Sequence, residues 1–309
     1  MIITVTLNPA IDKTAQVEKM VPNGLNRLSN IILDVGGKGI NVSKAIKELG
    51  GKSICTGFVA GSNGKWIEQK LESLGLNYKF RHVQGNTRIN LKVLDHDMNL
   101  TELNDSGDEI CEKDLQYLKE ELLEMVQAND IVVLAGSVPT GVPVTIYQEL
   151  TVMLKEKGAK VIMDADGELF TLGIEAGPTL IKPNKYELCK YFDLDENVSD
   201  VELVSHAKKL LYKGIETVVI SLGSKGAIFI TNEETAYVPG LDIIAHSAVG
   251  AGDSMVGALA YGISEKLELI PLIKLAVATS AGAVMTKGTK APNRSVVEML
   301  IKEVKIEFR

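Results

Sequence analysis

The spacing of apolar residues along this chain switches repeatedly between two periods. Short β-branched runs (IITVTL, ICTGFVA, DIVVLAGSV, KVIMDAD, TLIKPN and TVVISLG) are apolar almost throughout, as strands buried on both faces are. Between them, apolar residues recur every three to four positions in INVSKAIKELG, NGKWIEQKLESLG, LQYLKEELLEMVQ, VTIYQELTVMLKEKG and VELVSHAKKLLYKG. Several of these helical stretches end on Gly, where a C-cap is expected. Strand then helix, repeated, predicts an α/β chain with a mostly parallel sheet and crossover helices on both faces. Two stretches break the alternation: residues 13–35 and 87–104 read as half-polar strands with turns and carry no helical period. Together they predict a small antiparallel sheet beside the main one.

Composition narrows the class. A chain of 309 residues with 45% hydrophobic content can bury one large core, or a core plus a small appended element, so a single main domain over 1–309 is expected. The 40 acidic and 33 basic residues leave a net charge of −7 without a long run of like charge, which argues against nucleic acid as a partner. Cys55, Cys111 and Cys189 lie far apart without metal-ligand spacing, a pattern that fits reduced thiols. No apolar run reaches spanning length and the first residues lack a basic leader, so a soluble, cytoplasmic protein is expected and no membrane partner.

In a parallel sheet, ligands bind beyond the carboxyl ends of the strands, and the candidate motifs fall in those loops. In HSAVGAGDSMVGA, residues 246–258, Gly250 and Gly252 permit a tight turn, and a helix opening near Ala251 points unpaired N–H groups at one spot. Gly250, Ala251 and Gly252 thus read as an anion hole. Asp253 on that first turn is expected to stay ionised at neutral pH and to accept a proton. Such a pairing suits an alcohol that loses its proton while negative charge builds on a transferring phosphoryl group. A carboxylate favoured near a helix start by the dipole alone explains the same letters.

Two nucleotide fingerprints are missing: Gly51-Lys52-Ser53 has Ile46 where the phosphate-loop pattern needs Gly, and Gly250-Ala-Gly252 has Met255 at the third glycine. A dehydrogenase is therefore disfavoured. In VGGKGINVSKAIKELG, residues 35–50, Gly37 lets bare backbone close on a polyol, Lys38 supplies a donor and Asn41 both donates and accepts. Asp12, after the first strand, suits two sugar hydroxyls. Arg27, Arg88 and Lys92 form a basic set in the irregular stretches; on a strand, Arg88 and Lys92 share a face with Asn90. Asn184 and Glu187 in IKPNKYEL fall on one face of a first helical turn, where oxygens suit Mg²⁺ through water, although a capping box uses the same letters. Ser221, Gly223 and Gly226 suit nucleotide phosphates or ribose, or else a plain hairpin turn. Ser137 lies in a further strand-end loop.

The segments NPAID, GGKGINV, KPNxxEL, SLGxxGA and VGAGDSMVGA, in that order over essentially the whole chain, resemble the PfkB family of ribokinase-like sugar kinases. The resemblance implies a three-layer αβα fold with a β-sheet lid and transfer of a phosphoryl group from ATP to a sugar phosphate. NTRINLKV and VGAGDSMV most resemble the branch acting on fructose 1-phosphate, with kinases of tagatose 6-phosphate as near neighbours. It implies Asp253 as base and Gly250, Ala251 and Gly252 as the anion hole. Asp12, Gly37, Lys38 and Asn41 would hold the sugar, with Arg27, Arg88 and Ser137 near its phosphate; Lys92 joins them from strand geometry alone. Lys182, Asn184, Ser221, Gly223 and Gly226 match the ATP side, Asn184 and Glu187 the element associated with Mg²⁺, and a monovalent cation has precedent in the family. Lids of this kind often pair in a homodimer. Two stretches depart from the pattern: His246-Ser-Ala, at the nucleotide edge, and the acidic loop LDHDMNL in the lid.

Overall fold

The computed structural model describes every residue except Met98, Ser247, Ala248, Lys287 and Thr289, so parts of both departing stretches lie outside the described residues. The strands are β1 (Ile2–Thr6), β2 (Ala10–Gln16), β3 (Ser29–Gly36), β4 (Ile54–Ala60), β5 (Asn77–Val83), β6 (Ile89–Leu94) and β7 (Leu100–Leu103) in the first part of the chain. They continue as β8 (Ile131–Ala135), β9 (Lys160–Asp164), β10 (Leu180–Ile181), β11 (Thr217–Ser221), β12 (Gly226–Ile230), β13 (Thr235–Pro239) and β14 (Glu307–Phe308). The helices are α1 (Lys38–Glu48), α2 (Gly61–Ser73), α3 (Glu112–Met125), α4 (Ile146–Glu156), α5 (Gly167–Gly173), α6 (Lys185–Phe192), α7 (Asp200–Leu211), α8 (Ala251–Ser264), α9 (Leu269–Val284) and α10 (Arg294–Ile301).

The main sheet has the order β14-β13-β12-β11-β10-β9-β8-β1-β4-β5, and every pairing from β11 to β5 is parallel. Alternate side chains of each central strand enter opposite cores, as the two-residue period requires. Val132 and Leu134 of β8 pack with α3, α4 and α7 residues such as Leu118, Leu150 and Leu203, whereas Ile131 and Val133 pack with Val42 and Ile46 of α1, Val256 of α8 and Ile273 of α9. Three layers result, as expected. The glycines that close α1, α2 and α4 (Gly50, Gly75 and Gly158) all take positive φ.

Three features differ from the sequence reading. NYKFRHV, with exposed positions along it, is nonetheless the parallel edge strand β5. The far edge is antiparallel: β11 turns directly into β12, and β13 and β14 follow. The second sheet, β3-β2-β6-β7, falls within the predicted stretches apart from the first residues of β2 and the last of β3, but it is mixed, since β2 and β6 run parallel. Between those two strands the chain makes a full crossover through α1, β4, α2 and β5, and it re-enters the second sheet in its original direction.

Candidate active site

Along the carboxyl ends of the adjacent parallel strands β11, β10, β9, β8 and β1 the chain presents, in order, Ser221, Lys182, Asp164, Ser137 and Asn8. The second sheet begins at the β1 end of this row, and α8 begins beside Lys182, where a methyl group on Gly252 would lie 3.3 Å from Lys182 Nζ.

At the centre is Asp253, on the first turn of α8 and 9% exposed. Gly250 adopts the left-handed region at φ 82° and caps this helix without a side-chain partner, so the first-turn N–H groups are left for an incoming anion. Asn41 Nδ2 donates to Asp253 Oδ2 at 2.8 Å. Burial, reinforced by the Asp164 charge, pushes the Asp253 carboxyl above the ordinary carboxylate range, against the pull of Asn41, Lys38 and Lys182. The expectation that the first-turn position stabilises the ionised form is thus opposed by burial. Desolvation gives a more basic carboxylate, which favours a role as proton acceptor.

Asp164 escaped the sequence reading, because in KVIMDAD it reads as the polar end of an apolar strand. It is 3% exposed, and its Oδ1 faces Lys38 Nζ at 3.6 Å and Lys182 Nζ at 3.5 Å. Burial alone would raise its carboxyl, yet the two ammonium groups prevail and hold it below the ordinary range, while Lys38 is pushed up chiefly by Asp164. One buried acid thus fixes a lysine from the glycine-rich loop and a lysine from the β10 end, and the charges of both act on Asp253.

On the second sheet, Asp12 sits opposite Asn90 in the β2–β6 register. Asn90 Nδ2 donates to Asp12 Oδ1 at 3.2 Å and Lys92 Nζ donates to Oδ2 at 3.1 Å. Asn90 and Lys92 share a face as expected, but Lys92 is paired with Asp12 and Glu102 rather than held free for a phosphate. A methyl group on Gly36 would fall 2.5 Å from Asp12 Cγ, so glycine there makes room for that carboxylate. Arg88 donates through Nη1 to the Asp105 carbonyl at 2.7 Å and through Nη2 to the Asn8 carbonyl at 2.8 Å, while its buried Nε has no partner among the described residues. A clamped guanidinium with a spare buried donor suits an anion. Arg27 lies in the exposed loop between β2 and β3, and among the described residues no hydrogen bond or ion pair joins it to this group. Ser137 is exposed and follows Gly136, whose position is packed against the Lys38 stem.

On the other side, Asn184 and Glu187 form a reciprocal capping box at the start of α6: Glu187 N–H donates to Asn184 Oδ1 and Asn184 N–H to Glu187 Oε2, both at 2.8 Å. The structural use of these letters is therefore real, and Asn184 serves to hold Glu187. Burial and, after it, Asp164 raise the Glu187 carboxyl despite the Asn184 N–H. Two carboxylates that repel one another suit a divalent cation held partly through water, although no group of three acidic, His or Cys ligands occurs among the described residues. Ser221 ends β11, bridges to Asn184, and shares a surface depression with Gly223 and Lys225. Gly226 belongs to the β11–β12 hairpin: its φ is 107° and a methyl group would lie 1.9 Å from the Val238 carbonyl, so backbone packing explains that glycine.

Comparison with known proteins agrees with this arrangement. The profile of the pfkB family carbohydrate kinases matches residues 5–295. The 1-phosphofructokinase of Bacillus subtilis (strain 168) is 37% identical over 308 residues, covering 99% of each chain. That of Escherichia coli (strain K12) is 33% identical over 307 residues, covering 98% of this chain and 97% of the relative. The crystal structure of phosphofructokinase-2 from Escherichia coli in complex with fructose-6-phosphate matches with a TM-score of 0.91 at 26% identity over 98% of both chains. The same enzyme has also been solved with potassium and in a tetrameric inhibited form. Fold, strand-end chemistry and full-length similarity converge: this chain belongs to the pfkB family of carbohydrate kinases and is an ATP-dependent carbohydrate kinase.

Proposed function

We propose that the chain transfers the γ-phosphoryl group of ATP to the 6-hydroxyl of fructose 1-phosphate, giving fructose 1,6-bisphosphate and ADP. The observation that carries this reading is the buried Asp253 carboxylate, bonded by Asn41 and set on a glycine-opened helix N-terminus next to the Asp164-bound ammonium groups of Lys38 and Lys182. Full-length similarity to proteins named 1-phosphofructokinase supports fructose 1-phosphate, rather than tagatose 6-phosphate, as the acceptor.

In this reading Asp253 takes the proton of the sugar hydroxyl as its oxygen bonds to the γ-phosphorus, and the bond from that phosphorus to the bridging oxygen of ADP breaks. Lys38, Lys182 and the N–H groups at Gly250, Ala251 and Gly252 stabilise the charge on the travelling group. Asp12, aligned by Asn90 and Lys92, orients the sugar hydroxyls with Asn41 and the backbone at Gly37. Arg88, joined by Ser137 and Arg27, receives the 1-phosphate. Ser221, Gly223 and Asn184 border the nucleotide. A kinase of this family uses ATP with a divalent metal; Mg²⁺, held by Glu187 and Asp164, would neutralise part of the polyphosphate charge when bound. Incubating the protein with ATP and fructose 1-phosphate and following the sugar by ³¹P NMR tests the reading. A second phosphoester at C6 is expected; ADP release without it contradicts the proposal.

Two outcomes follow for the sugar side and for proton transfer. Arg88→Ala is expected to raise KM for fructose 1-phosphate about 10–100-fold, the scale of one charge-assisted contact, with a smaller change in kcat; steady-state kinetics at saturating ATP measures it, and an unaltered KM removes Arg88 from the phosphate site. The acid limb of kcat should titrate above the free aspartate value of about 3.9, since burial raises the group that must be ionised.

The whole chain acts as one kinase domain with the second sheet as its lid. Leu33, Ile89 and Leu103 are exposed apolar residues on the face of that sheet turned away from Asp12, and a second copy of the chain would cover them as a homodimer. A Leu33→Asp, Leu103→Asp double variant is expected to sediment as a monomer where the parent is a dimer. A reducing cytoplasm suits the three free cysteines, and among the described residues no helix is long and apolar enough to cross a membrane.

A further inference from the structure

Behind the glycine-rich loop a lysine without a role so far occupies the space between the two halves of the site. Lys44 lies one turn along α1 from Asn41, so the two side chains share a helix face. Its ammonium group donates to the Val35 carbonyl at 2.6 Å and to Asn41 Oδ1 at 3.2 Å, and it stands 3.6 Å from Asp34 Oδ1. Only a tenth of the side chain is exposed, and Asp34 is itself held by the Val35 N–H at 2.8 Å. An Asn amide has two orientations, and only one presents Nδ2 to Asp253. A cation on the other amide atom selects that orientation, because an ammonium group is a donor only and must face the oxygen.

We infer that Lys44, anchored by Asp34 and the Val35 carbonyl of β3, is a positioning residue that locks the Asn41 amide so that Nδ2 donates to Asp253, tying the set of the base to the second sheet. The inference rests on the reading of Asp253 as the base. Burial pulls the Lys44 ammonium group below the usual lysine range, opposed by Asp34, Asp12 and Asp253, while Asp164, Lys38 and Lys182 act on Asp253. Asp34 is also the cross-strand neighbour of Asp12, so a shift of β3 moves a sugar-holding acid and the Lys44 anchor together. Loss of Lys44 frees the amide to turn its oxygen toward Asp253, which removes the bond that holds that carboxyl down and adds a repulsive dipole.

Kinetics of the full chain across pH 5.5–9 with fructose 1-phosphate and ATP test this. Lys44→Met is expected to lower kcat about 10–100-fold at neutral pH, the range for a misaligned catalytic group, and to move the acid limb of kcat to higher pH. KM for ATP should stay within about twofold, and KM for fructose 1-phosphate should rise by less than kcat falls. Lys44→Arg should restore most of the rate, and Asp34→Asn should shift the limb in the same direction by less. If Lys44→Met does not fold, the Asp34→Asn profile decides. A uniform loss at every pH, a loss confined to KM, or an unmoved limb in Asp34→Asn overturns the inference. In an Asp253→Asn background Lys44→Met should cost nothing further. Should Asp253→Asn itself keep full activity, the reading of the base fails; a crippled Asp253→Asn beside an unaffected Lys44→Met sinks the lysine's role alone.

Discussion

Asp253→Asn is expected to lower kcat about 10²–10⁴-fold, the contribution of a general base, with KM for sugar phosphate and ATP nearly unchanged. The amide keeps the shape of the carboxylate and still accepts from Asn41 Nδ2, so the pocket survives while the proton acceptor is gone. The same substitution should raise thermal stability at pH 8. In the native protein the Asp253 carboxyl is pushed above its unfolded value by burial and by Asp164, so its ionised form opposes folding. That penalty is complete above the native value and vanishes below the unfolded value of about 3.9, so the gain in Tm over the parent should shrink as pH falls. A variant that loses activity and stability together would mean that the side chain holds the fold instead. Rate loss with a stability gain is the mark of a strained catalytic group.

Asp164→Ala carries the second large effect. It removes the carboxylate that, among the described residues, forms ion pairs with both Lys38 and Lys182, and Lys182 is only 6% exposed. An ammonium group left in that position without its partner costs about 3–5 kcal/mol, far more than the pair contributes over an apolar replacement. The denaturant midpoint should fall accordingly, and kcat with it, because neither lysine is then held toward the transferring phosphoryl. The Asp164 carboxyl is depressed in the fold, so the stability it supplies is present above the unfolded value of about 3.9 and is lost as pH drops through the native one. The part of the difference that Asp164 itself supplies should therefore fade as pH falls below about 3.9. Parity in the denaturant midpoint would mean that the two lysines find other partners.

The architecture was legible because each strand buried on both faces announces itself as an unbroken apolar run, as IVVLA and TVVIS do. NYKFRHV was not, since an edge strand with exposed positions keeps no such run, and the parallel pairing of β2 with β6 depends on a crossover that a local pattern does not encode. At the site, glycine-flanked residues such as Lys38, Asn41 and Asp253 stood out because their loops need unusual backbone. Asp164 and Lys44 did not. Each sits inside an ordinary strand or helix pattern, and its meaning comes from neighbours distant in sequence: Lys182 and Lys38 for the first, Asp34 and the Val35 carbonyl for the second. Lys92 shows the converse: its strand position was readable, but its pairing with Asp12 was not, since that neighbour is distant in sequence.

Phosphorylation of fructose 1-phosphate by this site is tested most directly by kcat/KM measured with ATP for fructose 1-phosphate, tagatose 6-phosphate, fructose 6-phosphate and ribose, side by side on the full chain. The highest value is expected for fructose 1-phosphate, with ribose the poorest because it offers Arg88 no phosphate. A clear preference for tagatose 6-phosphate, or turnover of ribose as fast as of any sugar phosphate, would contradict it.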